Sequence, residues 1–165
     1  MLFATTLSSA FAQSPVVNPN IDMKGFLAIS HEAAWYRENR RVTEAEFIRL
    51  SREPGTVILD ARSREMFQLL HVKGAINLNF SDIAVDSLAR IFPDKSQRIL
   101  IYCNNNFASS PRAFASKLPS ASLNLSTFIT LHGYGYTNVY ELEPLLDVKT
   151  TRIELMPSES NQGND

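Results

Sequence analysis

The chain has 165 residues, 44% of them hydrophobic, which is enough for one domain with a full core and too short to expect two. Its 16 basic and 17 acidic residues leave a formal net charge of -1, so no overall field draws it to nucleic acid or anionic lipid. A single cysteine excludes an internal disulfide.

In chain order, "MLFATTLSSAFA" (1–12) is apolar, small and uncharged, and ends in Ala10-Phe11-Ala12, like the A-x-A end of a secretory signal peptide. No Lys or Arg precedes Lys24, so the basic start of such a signal is missing and 1–12 reads as a remnant of one. The expected location is periplasmic or secreted, with the cytoplasm as the alternative. No later apolar run approaches the roughly 20 residues of a membrane span. "QSPVVNPN" (13–20) reads as a linker. From Asp22, the spacing of Phe26, Ile29 and Ala33 predicts a helical extension, so that 13–40 precede the main domain. Arg37, Arg40 and Arg41 follow as a cluster that reads as a solvated face.

Thr43 with Glu46 forms a capping box, and Val42 with Phe47 a hydrophobic staple, which predicts a helix from Thr43 to about Ser51. "VILD" (57–60) reads as a buried strand, "SREMFQLL" as a short helix and "GAINL" (74–78) as a second strand. Ser81 is placed to cap a helix carrying Ala84, Leu88, Ile91 and Phe92, stopped by Pro93. "RILIYC" is the third strand. Within "SPRAFASKL", Ser110 and Pro111 predict an added short helix. Leu125, Phe128, Ile129 and His132 mark a later helix ended by Gly133 and Gly135, and "NVYEL" (138–142) is the fourth strand. The last residues, "PSESNQGND", are polar and read as a disordered tail.

Strands alternating with helices imply βαβ units and a largely parallel sheet, in which ligands bind beyond the carboxyl ends of the strands. Cys103 stands at such an end, either as a nucleophile or as a small buried hydrophobe. Asn104, Asn105 and Asn106 form an ordinary polar turn or supply hydrogen bonds to an anion. Arg112 either folds back on that anion or is a surface charge. His31 and His132 have no metal-ligand spacing with Cys or carboxylates, so no metal site is expected.

The segment from Arg41 to about Asp147 resembles a rhodanese-like domain. The resemblance lies in "VILDARSREMFQLLHVKGAINL", with Asp60, Arg62, Glu65, Phe67, His71, Gly74, Ala75 and Asn77 at matching positions. It extends to "ILIYC" before the cysteine and to "LHGYGYTNVYEL" near the end. The resemblance implies an α/β fold with a mostly parallel central sheet of about five strands flanked by helices on both faces. It places that domain at 41–149 and leaves 150–165 as a C-terminal tail.

The activity implied is sulfur transfer through a Cys103 persulfide, from thiosulfate or a persulfide to a thiophilic acceptor, with no metal or organic cofactor. The implied partners are a small sulfur-containing anion or persulfide donor and a thiol acceptor, with a protein partner left open and no nucleic acid. The implied cradle is the loop Asn104, Asn105, Asn106, Phe107 and Ala108 with Arg112. Asp60 and Arg62 are implied as a brace for the strand end, and His71 as a structural hydrogen-bonding residue. The loop departs from the family pattern: Asn106 stands where Gly is usual and Ala108 where Arg is usual. A non-catalytic rhodanese-like binding module is therefore the alternative. Phosphatase or arsenate reductase chemistry ranks lower, because this loop has no closing Arg and the chain has no second thiol.

Overall fold

A computed structural model describes residues 18–158. The signal-like stretch 1–12, the linker as far as residue 17 and the polar tail from residue 159 lie outside the described residues. Helix α1 (Met23–Glu38) starts at Asp22, whose side chain accepts a hydrogen bond from the Gly25 N–H, and it leads directly into the short strand β1 (Arg41–Val42). Helix α2 (Glu44–Ser51) is capped by Thr43 Oγ1, which accepts from Glu46 N at 3.3 Å. Only that half of the capping box forms, since the Glu46 carboxylate turns outward to Arg49.

Then come β2 (Val57–Asp60), α3 (Arg64–Leu69), β3 (His71–Val72) and β4 (Ile76–Asn77). Gly74, at φ +81°, makes the turn between β3 and β4 and confines the expected strand 74–78 to two residues. Helix α4 (Val85–Ile91) begins after Ala84, not at Ser81, which lies in a 3-10 turn over Phe80–Asp82. Ser87 Oγ accepts from Ala84 N and takes over the capping role. Strand β5 (Ile99–Tyr102) is buried along its whole length.

Past the cysteine, Asn104–Asn106 form a single 3-10 turn into β6 (Phe107–Ala108). The helix expected from Ser110 is only a turn, closed by the Phe114 N–H on the Ser110 carbonyl. The chain there is held by tertiary contacts. Phe114 packs on Phe107 with ring centroids 4.7 Å apart, and the Ala113 carbonyl accepts from Arg62. Helix α5 (Leu123–Gly133), β7 (Val139–Leu142), β8 (Leu146–Asp147) and β9 (Leu155–Met156) complete the described chain. The stretch from 150, expected as tail, belongs to the domain as far as described: Ile153 is buried and β9 pairs antiparallel with β3.

The five-stranded sheet runs β1-β7-β5-β2-β4, with every pair parallel. Alternation along β5 divides the core. Leu100 and Tyr102 face a cluster with Phe47, Leu50, Phe107 and Phe114 on the α2 side. Ile99 and Ile101 face Ala33, Leu88, Phe128 and Leu131, contributed by α1, α4 and α5. Each fully buried aliphatic or aromatic side chain here contributes roughly 1.5–3 kcal/mol. Continuing the alternation, Cys103 emerges from the carboxyl end of β5 towards α5. No described helix is long and apolar enough to cross a membrane.

Candidate active site

Cys103 is 1% exposed, and its Sγ meets two polar groups. The Asn105 backbone N–H donates to the sulfur at 3.4 Å, a consequence of the tight turn that follows the strand. Ser122 Oγ, at the start of α5, lies 3.4 Å from it on the other side. Ser122 makes no side-chain cap to its own helix, so its hydroxyl is left to the thiol. The amino end of an eleven-residue helix therefore stands beside the sulfur, an arrangement that favours negative charge there.

The turn is braced from beneath. Asn106 Oδ1 accepts from Cys103 N at 2.9 Å, while its Nδ2 donates to the Leu142 carbonyl at 2.7 Å and the Pro144 carbonyl at 3.2 Å. Asn124 Nδ2 donates to the same Asn106 oxygen at 2.9 Å and reaches Glu141 Oε1 at 3.3 Å. Glu141 in turn receives a two-pronged contact from Arg37, Nε at 2.5 Å and Nη2 at 2.8 Å. A polar chain thus runs from the cysteine backbone through two asparagines to an ion pair between β7 and α1.

Above the sulfur opens a cleft of about 270 Å³, lined by Cys103, Asn105, Asn106, Ser122 and Asn124 together with Arg37, Arg41, Glu141 and Glu143. Arg41 is paired with Glu143 at 3.1 Å. Each arginine at this mouth is matched by a glutamate, so the four charges cancel.

The expected loop cradle is only partly assembled. Asn105 contributes its backbone N–H, but its side-chain amide is spent on a two-way clasp with the Lys117 backbone, at 2.8 and 3.0 Å. Asn106 supports the turn, and it does not adopt the left-handed conformation a glycine would supply. Among the described non-glycine residues that conformation falls at Ser109, φ 66°, whose hydroxyl donates to Asp147. Asn104 is buried away from the cleft, Phe107 belongs to the core on the α2 side, and Ala108 is paired with Asp147 in the β6–β8 ladder. Arg112 is exposed and does not line the cleft. Arg37 and Arg41, read from sequence as a solvated face, stand at the cleft instead. The signal that could have placed them is the direct run of α1 into an edge strand of the same sheet, separated from the cysteine strand only by β7.

Asp60, Arg62 and His71 also lie off the cleft. Asp60 and Arg62 form an ion pair at 2.6 Å with side chains 0% and 1% exposed. Arg62 also donates to the Ala113 and Leu70 carbonyls at 2.8 Å each. Burial pulls the Arg62 guanidinium down, and the Asp60 carboxylate more than offsets it, leaving the group above its ordinary value. Burial and then the Asp60 charge push the Tyr102 phenol well above its usual range, so it stays protonated and donates to Asp60 Oδ2 at 2.5 Å. His71 stacks on Phe67 at 3.8 Å between ring centroids, and its Nδ1 lies 2.8 Å from the Phe67 carbonyl.

No curated protein sequence gives a significant match. Among solved structures, a rhodanese with anions from E. coli is 24% identical, covering 62% of this chain and 98% of its own, with a TM-score of 0.42. The rhodanese-like domain of an Anabaena protein is 23% identical over 76% of this chain and 87% of its own, at 0.47. A Helicobacter pylori protein is 17% identical over 78% of this chain and 99% of its own, at 0.48. The family model described as "Rhodanese-like domain" matches residues 43–144, from the cap of α2 to just past β7. With more than half of the sequence inside that match, the chain belongs to the rhodanese-like domain family.

Proposed function

We propose that this protein is a sulfurtransferase that carries sulfane sulfur on Cys103. The observation that supports this most directly is the pair of polar groups on Sγ, Asn105 N–H and Ser122 Oγ, at the floor of an open cleft. In the first half-reaction the Cys103 thiolate attacks the outer sulfur of the donor. A new S–S bond forms, the donor's own S–S bond breaks, and its electron pair leaves with the departing group. In the second, an acceptor thiolate attacks the outer sulfur of the Cys103 persulfide and returns the enzyme thiolate. The Asn105 N–H and the amino end of α5 stabilise the negative charge that passes across these sulfurs.

The test is intact mass after the reduced protein has met thiosulfate or an alkyl persulfide. The expected result is a gain of about 32 Da that is absent from Cys103→Ser and is lost again on adding a thiol acceptor. A second reading, a binding module without turnover, is favoured by the cancelled charges at the cleft mouth. A wild-type thiol that stays titratable yet gains no mass from either donor selects that reading.

A further inference from the structure

We infer that Glu141, with Glu143, sets donor choice by neutralising the arginines at the cleft, and that the donor is an uncharged or weakly charged alkyl persulfide and not a dianion such as thiosulfate. This rests on the Cys103 relay proposed above and names its substrate class.

The two cationic side chains lining the cleft are Arg37 and Arg41, and each is taken by a carboxylate. The first pair is the firmer: Glu141 is 5% exposed, receives both guanidinium prongs and is further held by Asn124. With four opposing charges summing to zero, a dianion entering the cleft gains no net attraction and meets two carboxylates on its way in. The Asn105 N–H, the Ser122 hydroxyl and the amino end of α5 meet one negative charge at the sulfur, which is little compensation for the water a dianion must shed. A persulfide R–S–SH with an uncharged R group carries at most one negative charge, on the sulfur to be transferred, and meets far less of that cost. Attack of the Cys103 thiolate on its outer sulfur gives the Cys103 persulfide and RS⁻, with the proton kept on the transferred sulfur and no outside oxidant or reductant.

The experiment compares initial rates of mass gain from thiosulfate and from 2-hydroxyethyl persulfide generated in situ, using wild type, Glu141→Gln and Glu143→Gln. Wild type is expected to load faster from the persulfide. Glu141→Gln frees the Arg37 charge and raises the thiosulfate-to-persulfide rate ratio by about tenfold, an increase that added salt suppresses. Glu143 is half exposed, so its replacement is compatible with folding and carries the test if Glu141→Gln melts early; its ratio rises by a smaller factor. Equal loading of wild type from both donors, or a ratio unmoved in the folded variants, overturns the donor assignment and leaves the relay standing. Loading from neither donor removes the relay, and the assignment with it.

Discussion

Two arginine–carboxylate pairs sit near the carboxyl ends of β2 and β7, the strands on either side of β5, and they do different work. Asp60–Arg62 lies on the α2 side of the sheet with both side chains excluded from water, and its arginine ties the end of β2 to the Ala113 and Leu70 carbonyls. Glu141–Arg37 lies on the α5 side, with the arginine 26% exposed and the cleft as its neighbour. The charges are the same, but water reaches only the second. A sealed pair can only hold the fold, whereas a pair at a cleft also sets the field a ligand meets.

The sharpest way to break this comparison is to remove one partner from each pair. Asp60→Ala leaves a buried guanidinium and a buried phenol without their acceptor, and is expected to cost roughly 3–5 kcal/mol in urea denaturation. Arg37→Gln, where water reaches the site, is expected to cost about 1 kcal/mol. Equal losses would erase the distinction.

A smaller effect comes from a third carboxylate. Thr151 Oγ1, against the opposing effect of burial, and the Arg152 N–H hold the Glu44 carboxyl below its ordinary value. A carboxyl depressed in the folded state contributes stability that is present above its unfolded value and lost as pH falls through the folded one. Acidification below the ordinary glutamate range is therefore expected to loosen the 150–156 segment before the sheet opens, seen as early amide exchange at Ile153. Simultaneous loss of both would show that this segment is not separately anchored. The smallest effect is assigned to Arg112→Ala, which should leave sulfur loading unchanged and stability within about 0.5 kcal/mol, because the residue is exposed and off the cleft.

How much of this was readable beforehand follows from the range of each interaction. β2, β5 and β7 stand out as short apolar, β-branched runs, and α2 and α5 as periodic segments with clear ends. The order of these elements, with the motif around Asp60 to Asn77, carries the family. The pairing of β3 with β9 was hidden because two-residue strands have no period to detect. Ser110-Pro111 carries a genuine local helix signal, overridden by Phe114 and Arg62 drawing the chain into the α2-side core. The cysteine itself was legible from its strand, but its surroundings were not. Arg37 and Glu141 are 104 positions apart, and no local pattern joins them. Seen alone, an arginine at the end of an amphipathic stretch looks like any surface charge.

The route of α1 into β1 has a consequence for where this protein can be cut. The family match begins at residue 43, and a fragment trimmed to that boundary would keep Cys103, Ser122 and Glu141 but lose Arg37 and Arg41. Such a fragment would present two carboxylates to the thiol with nothing to balance them. In this chain the portable unit is larger than the family's own outline, because the helix ahead of that outline supplies the cleft's counter-charges.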